Sequence, residues 1–236
     1  MKRLISFFAI IALLGAQSLQ AQWIQTNGPY GGDVMCFAVD GPNLFAGTHG
    51  DGVFLSTNPA TRDASWTAVN TGLTGRDVQA LAVDGSNLFA GTRGGGVFCS
   101  TNPALRDASW TAINTGLTLT SVYALAVNGS HLFAGTGGGV FLSTNNGTSW
   151  TAVNTGLTNT SVEDLAVSGS NLFAGTYSGG VFLSTNNGTS WTAVNTGLTS
   201  THVLSLAVSG SNLFAGTIGG GVWRRPLSEM IAEVGK

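Results

Sequence analysis

The sequence predicts an all-β protein: a five-bladed β-propeller of four-stranded antiparallel blades, its ring closed by an N-terminal strand that completes the last blade. Three observations predict it. The pentapeptide Leu-Phe-Ala-Gly-Thr occurs five times, starting at Leu44, Leu88, Leu132, Leu172 and Leu213, and a fixed period of about 40 residues marks a repeat architecture. Each period holds four short apolar stretches separated by turn residues, with no helical periodicity, which is the pattern of a propeller blade. The stretches Leu-Ala-Val, Leu-Phe-Ala and Val-Phe-Leu are apolar on both faces, as strands are when each sheet lies between two others. A solenoid β-helix ranks below this reading, because its coils are shorter than this period.

The elements follow in order. Lys2-Arg3, the apolar run Leu4–Ala16 and a small, polar stretch ending at Ala21 read as a secretory signal peptide over residues 1–21, too short to span a membrane comfortably. The propeller is expected over residues 22–226, in units of about 33–74, 75–118, 119–158, 159–199 and 200–226. In the third unit the strands are read at Val122–Val127, His131–Thr136, Gly139–Thr144 and Ser149–Asn154. The pairs Asp40-Gly41, Asp84-Gly85, Asn128-Gly129, Ser168-Gly169 and Ser209-Gly210 read as hairpin turns between the first two strands, because such turns demand positive φ. The fifth unit ends after its third strand, Gly221–Arg225. Its missing fourth strand begins Ser-Trp-Thr-Ala in the other units, and Trp23-Ile24-Gln25-Thr26-Asn27 matches it. Residues 22–27 are therefore expected to complete the last blade, leaving no open edge. In the tail, 227–236, the spacing of Leu227, Met230, Ile231 and Val234 gives either a short helix on the rim or a disordered end.

Composition removes several function classes. Only 8% of residues are charged, 43% are hydrophobic and 35 are glycine, which argues for a packed, turn-rich fold. The net charge is −2, and no basic cluster exists to hold nucleic acid or an anionic membrane. The two cysteines, Cys36 and Cys99, replace small or apolar repeat residues and read as buried thiols without a disulfide. No second long apolar run follows the leader, so a secreted or periplasmic monomer without a membrane span is expected.

The link between the third and fourth strands reads Ser143-Thr144-Asn145-Asn146-Gly147-Thr148-Ser149-Trp150, and again from Ser184 through Asn186 and Gly188 to Trp191. This resembles the Asp-box (BNR) turn of sialidases, sortilin-type receptors and related bacterial propellers, with Asn145 and Asn186 in place of the Asp. In the first two units the turns run Ser56 to Trp66 and Ser100 to Trp110, three residues longer and without the Gly. In that turn a Ser or Asn side chain bonds the backbone, Gly takes positive φ and Trp buries the hairpin end, so the motif is structural. The resemblance implies a propeller whose ligand face lies elsewhere.

A sialidase needs an arginine triad for the substrate carboxylate and a Tyr/Glu pair. Arg62 and Arg106 belong to the extended turns and Arg224 and Arg225 to a rim strand, so the triad is absent and a sialidase-like glycoside hydrolase is disfavoured. His49, His131 and His202 fall at different repeat positions, no cluster has metal-ligand spacing, and Gly-x-Ser-x-Gly does not occur. No catalytic residue, cofactor or metal is expected. The repeats disagree in two places. After Leu-Phe-Ala-Gly-Thr come His49, Arg93, Gly137, Tyr177 and Ile218. At the start of the first strand come Met35, Gln79, Tyr123, Glu163 and Leu204, just after Asp33, Asp77, Ser121, Ser161 and His202. In a propeller both places open on one face around the central channel. His49, Arg76, Arg93, Tyr123, Glu163, Tyr177 and His202 are thus candidate ligand residues at the channel mouth. The expected function is non-catalytic binding of a protein or glycan, either at that mouth or, as in a lectin-like propeller, at repeated sites between blades.

Overall fold

Five antiparallel sheets follow one another along the chain, one for each repeat. The computed structural model describes residues 23–29, 32–60, 64–104 and 109–234. The expected signal peptide, and Arg62 and Arg106, lie outside the described residues. The sheets are β1 (Val34–Asp40) to β4 (Thr67–Ala68), β5 (Val78–Asp84) to β8 (Thr111–Ala112), β9 (Val122–Asn128) to β12 (Thr151–Ala152), β13 (Val162–Ser168) to β16 (Thr192–Ala193), and the three strands β17 (Val203–Ser209), β18 (Asn212–Thr217) and β19 (Gly221–Pro226). Within each sheet the strands pair in chain order. The first strands β1, β5, β9, β13 and β17 pack side by side in succession, so the sheets radiate from an inner row in propeller fashion.

The hairpin glycines do take positive φ: Gly41, Gly85, Gly129, Gly169 and Gly210 lie at 55–58°. The two-residue loop is one position later than expected. Asp40 pairs with Asn43 and closes the strand, so Gly41-Pro42 is the loop, with positive φ at its first residue only, as a type II′ turn requires. The fourth strands are much shorter than expected, two residues each. Beyond them an Asn side chain takes over. Asn70, Asn114, Asn154 and Asn195 each accept, through Oδ1, the amide of the second residue of the third strand, at 2.7 Å in all four sheets.

The Ser-Asn-Gly turns are held by side-chain hydrogen bonds. Ser143 Oγ accepts the Gly147 amide at 2.8 Å and donates to Asn145 Oδ1, which also accepts the Ser149 amide. Ser184, Asn186, Gly188 and Ser190 repeat this arrangement. The buried hydroxyls of Ser56 and Ser100 find no hydrogen-bond partner among the described residues. The backbone differs in these two turns. Asn146 and Asn187 adopt φ of 53° and 55°, and the residues in that register are Pro59 and Pro103, whose rings lock φ near −65°.

Trp110, Trp150 and Trp191 are buried between successive sheets. Each indole N–H donates to a backbone carbonyl of the preceding sheet's tail, Val69, Ile113 or Val153. Trp66 instead donates to Thr26 Oγ1 at 3.2 Å. Four apolar clusters fill the four seams; in the first, Phe45, Val53 and Leu55 of one sheet meet Val78, Leu88 and Phe98 of the next.

The expected ring closure is not seen. The fifth sheet has three strands, and Asn27 bridges Ser65 of the first sheet, as Thr71 bridges Ser109 of the second. Trp23 is fully exposed. The outer faces confirm two open ends among the described residues. Val222 is 76% exposed while its repeat counterparts Val53, Val97 and Val140 are 0% exposed. Phe37 is 58% exposed, and its counterpart Leu165 only 7%. β19 runs through Pro226 directly into α1 (Leu227–Val234), which buries Met230 in the last seam. The tail is therefore a helix, held by Arg225 Nη1 on Glu233 Oε2 at 2.7 Å.

Candidate functional site

The inner row of first strands positions one set of candidates. Each of these strands carries a bulge near its start, as between Val34 and Cys36, which turns successive side chains out of strict alternation. Met35, Gln79, Tyr123, Glu163 and Leu204 come together around one open cavity of about 310 Å³. They are the five repeat-variable residues at the strand starts, so the structure brings that set together.

The second set forms a rim at the same end. The His49, Arg93, Tyr177 and Ile218 amides donate to the carbonyls of Asp33, Asp77, Ser161 and His202, the residues just before or at the start of their own first strands, at 2.8–3.0 Å. The rim also couples neighbouring sheets. His49 Nε2 lies 3.4 Å from Asp77 Oδ2 of the next repeat. The Tyr177 ring sits 3.8 Å, centroid to centroid, from His202, tilted by 58°. Arg93 bridges Ser121. Arg76 is exposed beside the His49 turn: its Nε donates to the Leu73 carbonyl at 2.8 Å, and its carbonyl accepts the Gly50 and Gly52 amides. His49, Arg76, Arg93, Tyr177 and His202 thus lie at the turns beside the first-strand starts, while Tyr123 and Glu163 line the cavity itself.

His202 Nε2 is buried without a hydrogen-bond partner among the described residues. Glu163 Oε1 accepts the Ser161 hydroxyl at 2.9 Å. Sequence reasoning missed Asp164. Its column reads Cys36, Ala80, Ala124, Asp164 and Ser205, so one acidic residue in a small-residue column was the available signal. Asp164 lines the cavity and ties two sheets: Oδ1 accepts the Leu165 amide at 2.8 Å and Oδ2 the Leu206 amide of β17 at 2.6 Å. Desolvation by burial pushes its carboxyl above the usual carboxylate value, partly offset by those two N–H donors. Cys36 also lines the cavity, and burial pushes its thiol up to about 12. Cys36 and Cys99 are both free thiols.

Among the described residues, no group of three or more His, Cys, Asp or Glu side chains is placed to hold a metal ion. None of the described helices is long and apolar enough to cross a membrane. The groups gathered at the cavity and these turns offer hydrogen bonding, the rings of Tyr123 and Tyr177, the guanidinium groups of Arg76 and Arg93, and a carboxylate pair on one strand.

No family model matches the chain, and no curated protein matches it. Solved structures do. The chain is similar to the extracellular domain of BT4673 from B. thetaiotaomicron, with a TM-score of 0.68 and 18% identity over 85% of this chain and 28% of that one. It is similar to the GH74 xyloglucanase from Xanthomonas campestris, with a TM-score of 0.62 and 16% identity over 85% and 37%. It is also similar to the computationally designed Ika8 protein, with a TM-score of 0.58 and 13% identity over 82% and 58%. The chain spans less than two thirds of the length of each, and at these identities the likeness is one of fold.

Proposed function

We propose that the chain is an exported, non-catalytic binding module whose ligand sits at the mouth formed by the first-strand starts and the second-to-third strand turns. The observation that carries this is convergence. The residues in which near-identical repeats differ are the ones gathered around one cavity and its rim, whereas the packing residues are repeated. Exposed Tyr177 and Arg93 supply the contact types enriched at binding sites.

The non-catalytic reading draws support from the acidic groups. Glycoside hydrolysis by two carboxylates needs them on opposite sides of the bond to be cut. Glu163 and Asp164 are neighbours on one strand, and the other four strands present Met35, Gln79, Tyr123 and Leu204 to the cavity. The Ser143 and Ser184 turn geometry supports membership of the Asp-box propellers, and extracellular-domain neighbours support export. A glycan array probed with the chain, with the Arg93→Ala/Tyr177→Ala variant as control, tests the reading. Selective binding lost in the variant is the expected result. Binding retained in full by the variant would move the site between blades, to the lectin-like arrangement.

A further inference from the structure

Three seams of the molecule are closed by a tryptophan that enters with its strand. Trp110, Trp150 and Trp191 each donate their backbone N–H to the carbonyl of Thr71, Thr115 or Thr155 at 2.8–2.9 Å. Their indoles donate to Val69, Ile113 and Val153 at 2.6–2.7 Å. A glycine makes room for each: a Cβ at Gly72, Gly116 or Gly156 would strike the carbonyl oxygen of that tryptophan. The last seam, between the fourth and fifth sheets, keeps the same walls and lacks the tryptophan. Around Gly197 a Cβ would meet nothing. A cavity of about 270 Å³ stands there, lined by Val181, Val194, Leu198, Leu213 and Ala215 and bordered on one side by Arg225 and by Glu229 and Met230 of α1. Their repeat counterparts Val140, Val153, Leu157, Leu172 and Ala174 belong to the cluster that holds Trp191. The outer edge of β19, which in the other sheets pairs with a fourth strand, has no partner strand among the described residues. Arg225 Nη1 reaches the Val194 carbonyl at 3.2 Å, where an indole N–H would otherwise donate.

We propose that this seam is a strand-acceptor site: an extended segment of another polypeptide adds antiparallel to β19 and seats a tryptophan in the cavity. Strand addition supplies backbone hydrogen bonds and the pocket supplies specificity. A cavity of about 150 Å³ holds a benzene ring, so this one has room for an indole. Its chemistry is defined by the three occupied copies: an apolar slot, a glycine floor that admits the peptide backbone, and a carbonyl for the indole N–H. When the indole takes Val194, Arg225 keeps Glu229 and Glu233 of α1 as partners. The chain's own Trp23 does not occupy the seat: its side chain is fully exposed.

The probe is a synthetic peptide with the sequence of residues 190–197, titrated by calorimetry into the full chain. One-to-one binding is expected, weakened at least tenfold when the peptide's tryptophan is replaced by alanine and at least tenfold by Gly197→Ala in the protein. That variant leaves open space around its new methyl in the free chain but puts alanine at a φ of 84°, so circular dichroism and an unchanged thermal midpoint are required before its binding is read. A Trp23→Ala chain is run in parallel. Absence of binding to both chains overturns the proposal, as does binding indifferent to Gly197→Ala. Binding seen only with Trp23→Ala also overturns it, because the seat then belongs to the chain's own N-terminal strand.

Discussion

Single residues decide where this repeat can and cannot vary. Gly147 and Gly129 both lie at positive φ, 82° and 58°, but a methyl on Gly147 would also strike Ile113 Cδ1 while one on Gly129 would meet nothing. A non-glycine residue held at positive φ costs about 1–3 kcal/mol. Gly147→Ala is expected at or above the top of that range and Gly129→Ala near the bottom, read as the separation of their urea midpoints; equal losses would show that the Ile113 contact yields freely. Asp164 makes a prediction with pH. Its native carboxyl titrates above the usual 3.8 because burial penalises the charge, so the folded state binds a proton more readily than the unfolded one and stability rises as pH falls through that window. The melting temperature of the native chain should therefore climb relative to Asp164→Asn as pH is lowered from 7, the gain being complete below about 3.8; a difference independent of pH would refute it. Cys36, its thiol pushed up to about 12, should react with a thiol reagent at pH 8 roughly two to three orders of magnitude more slowly in the folded than in the unfolded chain, since the thiolate is the nucleophile.

Elements show how far the sequence could be read and where reading stopped. The three long strands of each sheet were legible because the repeat displays them several times and glycine marks each hairpin. The fourth was overestimated, because Ser-Trp-Thr-Ala-Val-Asn looks like six strand residues but only Thr and Ala form the strand, followed by one further bond from the Val amide. The Asn at its end is a staple, not a strand residue, and no local pattern distinguishes the two. The mouth residues were legible as differences between copies, whereas Asp164 was hidden in a column whose other members are small. The C-terminal helix was legible only as spacing. Its packing depends on β19 continuing directly into it, a tertiary fact. Met230 is the anchor, 1% exposed between Val181, Leu183 and Val194. Met230→Ala removes a buried side chain that nothing else replaces and is expected to cost about 2–5 kcal/mol. Hydrogen exchange should then speed up first at the β18 and β19 amides and leave the first three sheets protected, as nearest-neighbour coupling in a repeat protein requires. Uniform loss of protection would instead make the whole molecule one cooperative unit.

At the scale of the whole molecule, the two end faces dominate. One side of the first sheet presents Val34, Phe37 and Val39 to solvent, and one side of the fifth presents Val222. In the four internal seams the same repeat positions are covered, so these faces are the two halves of an interface the molecule makes four times and leaves unmade once. Contiguous exposed apolar surface of this kind drives association, and the chain is expected to self-associate as its concentration rises. Phe37→Lys combined with Val222→Lys replaces two exposed side chains with charged ones. Surface changes away from packed features usually stay within about 0.5 kcal/mol, so the melting temperature should hold while light scattering at high concentration falls to that of a monodisperse monomer. A sharp fall in melting temperature that persists at low protein concentration would instead mean that the first and fifth sheets cover each other within one chain. In that event residues 23–27 would be the strand between them, and the tryptophan seat of the last seam would be filled from within the chain.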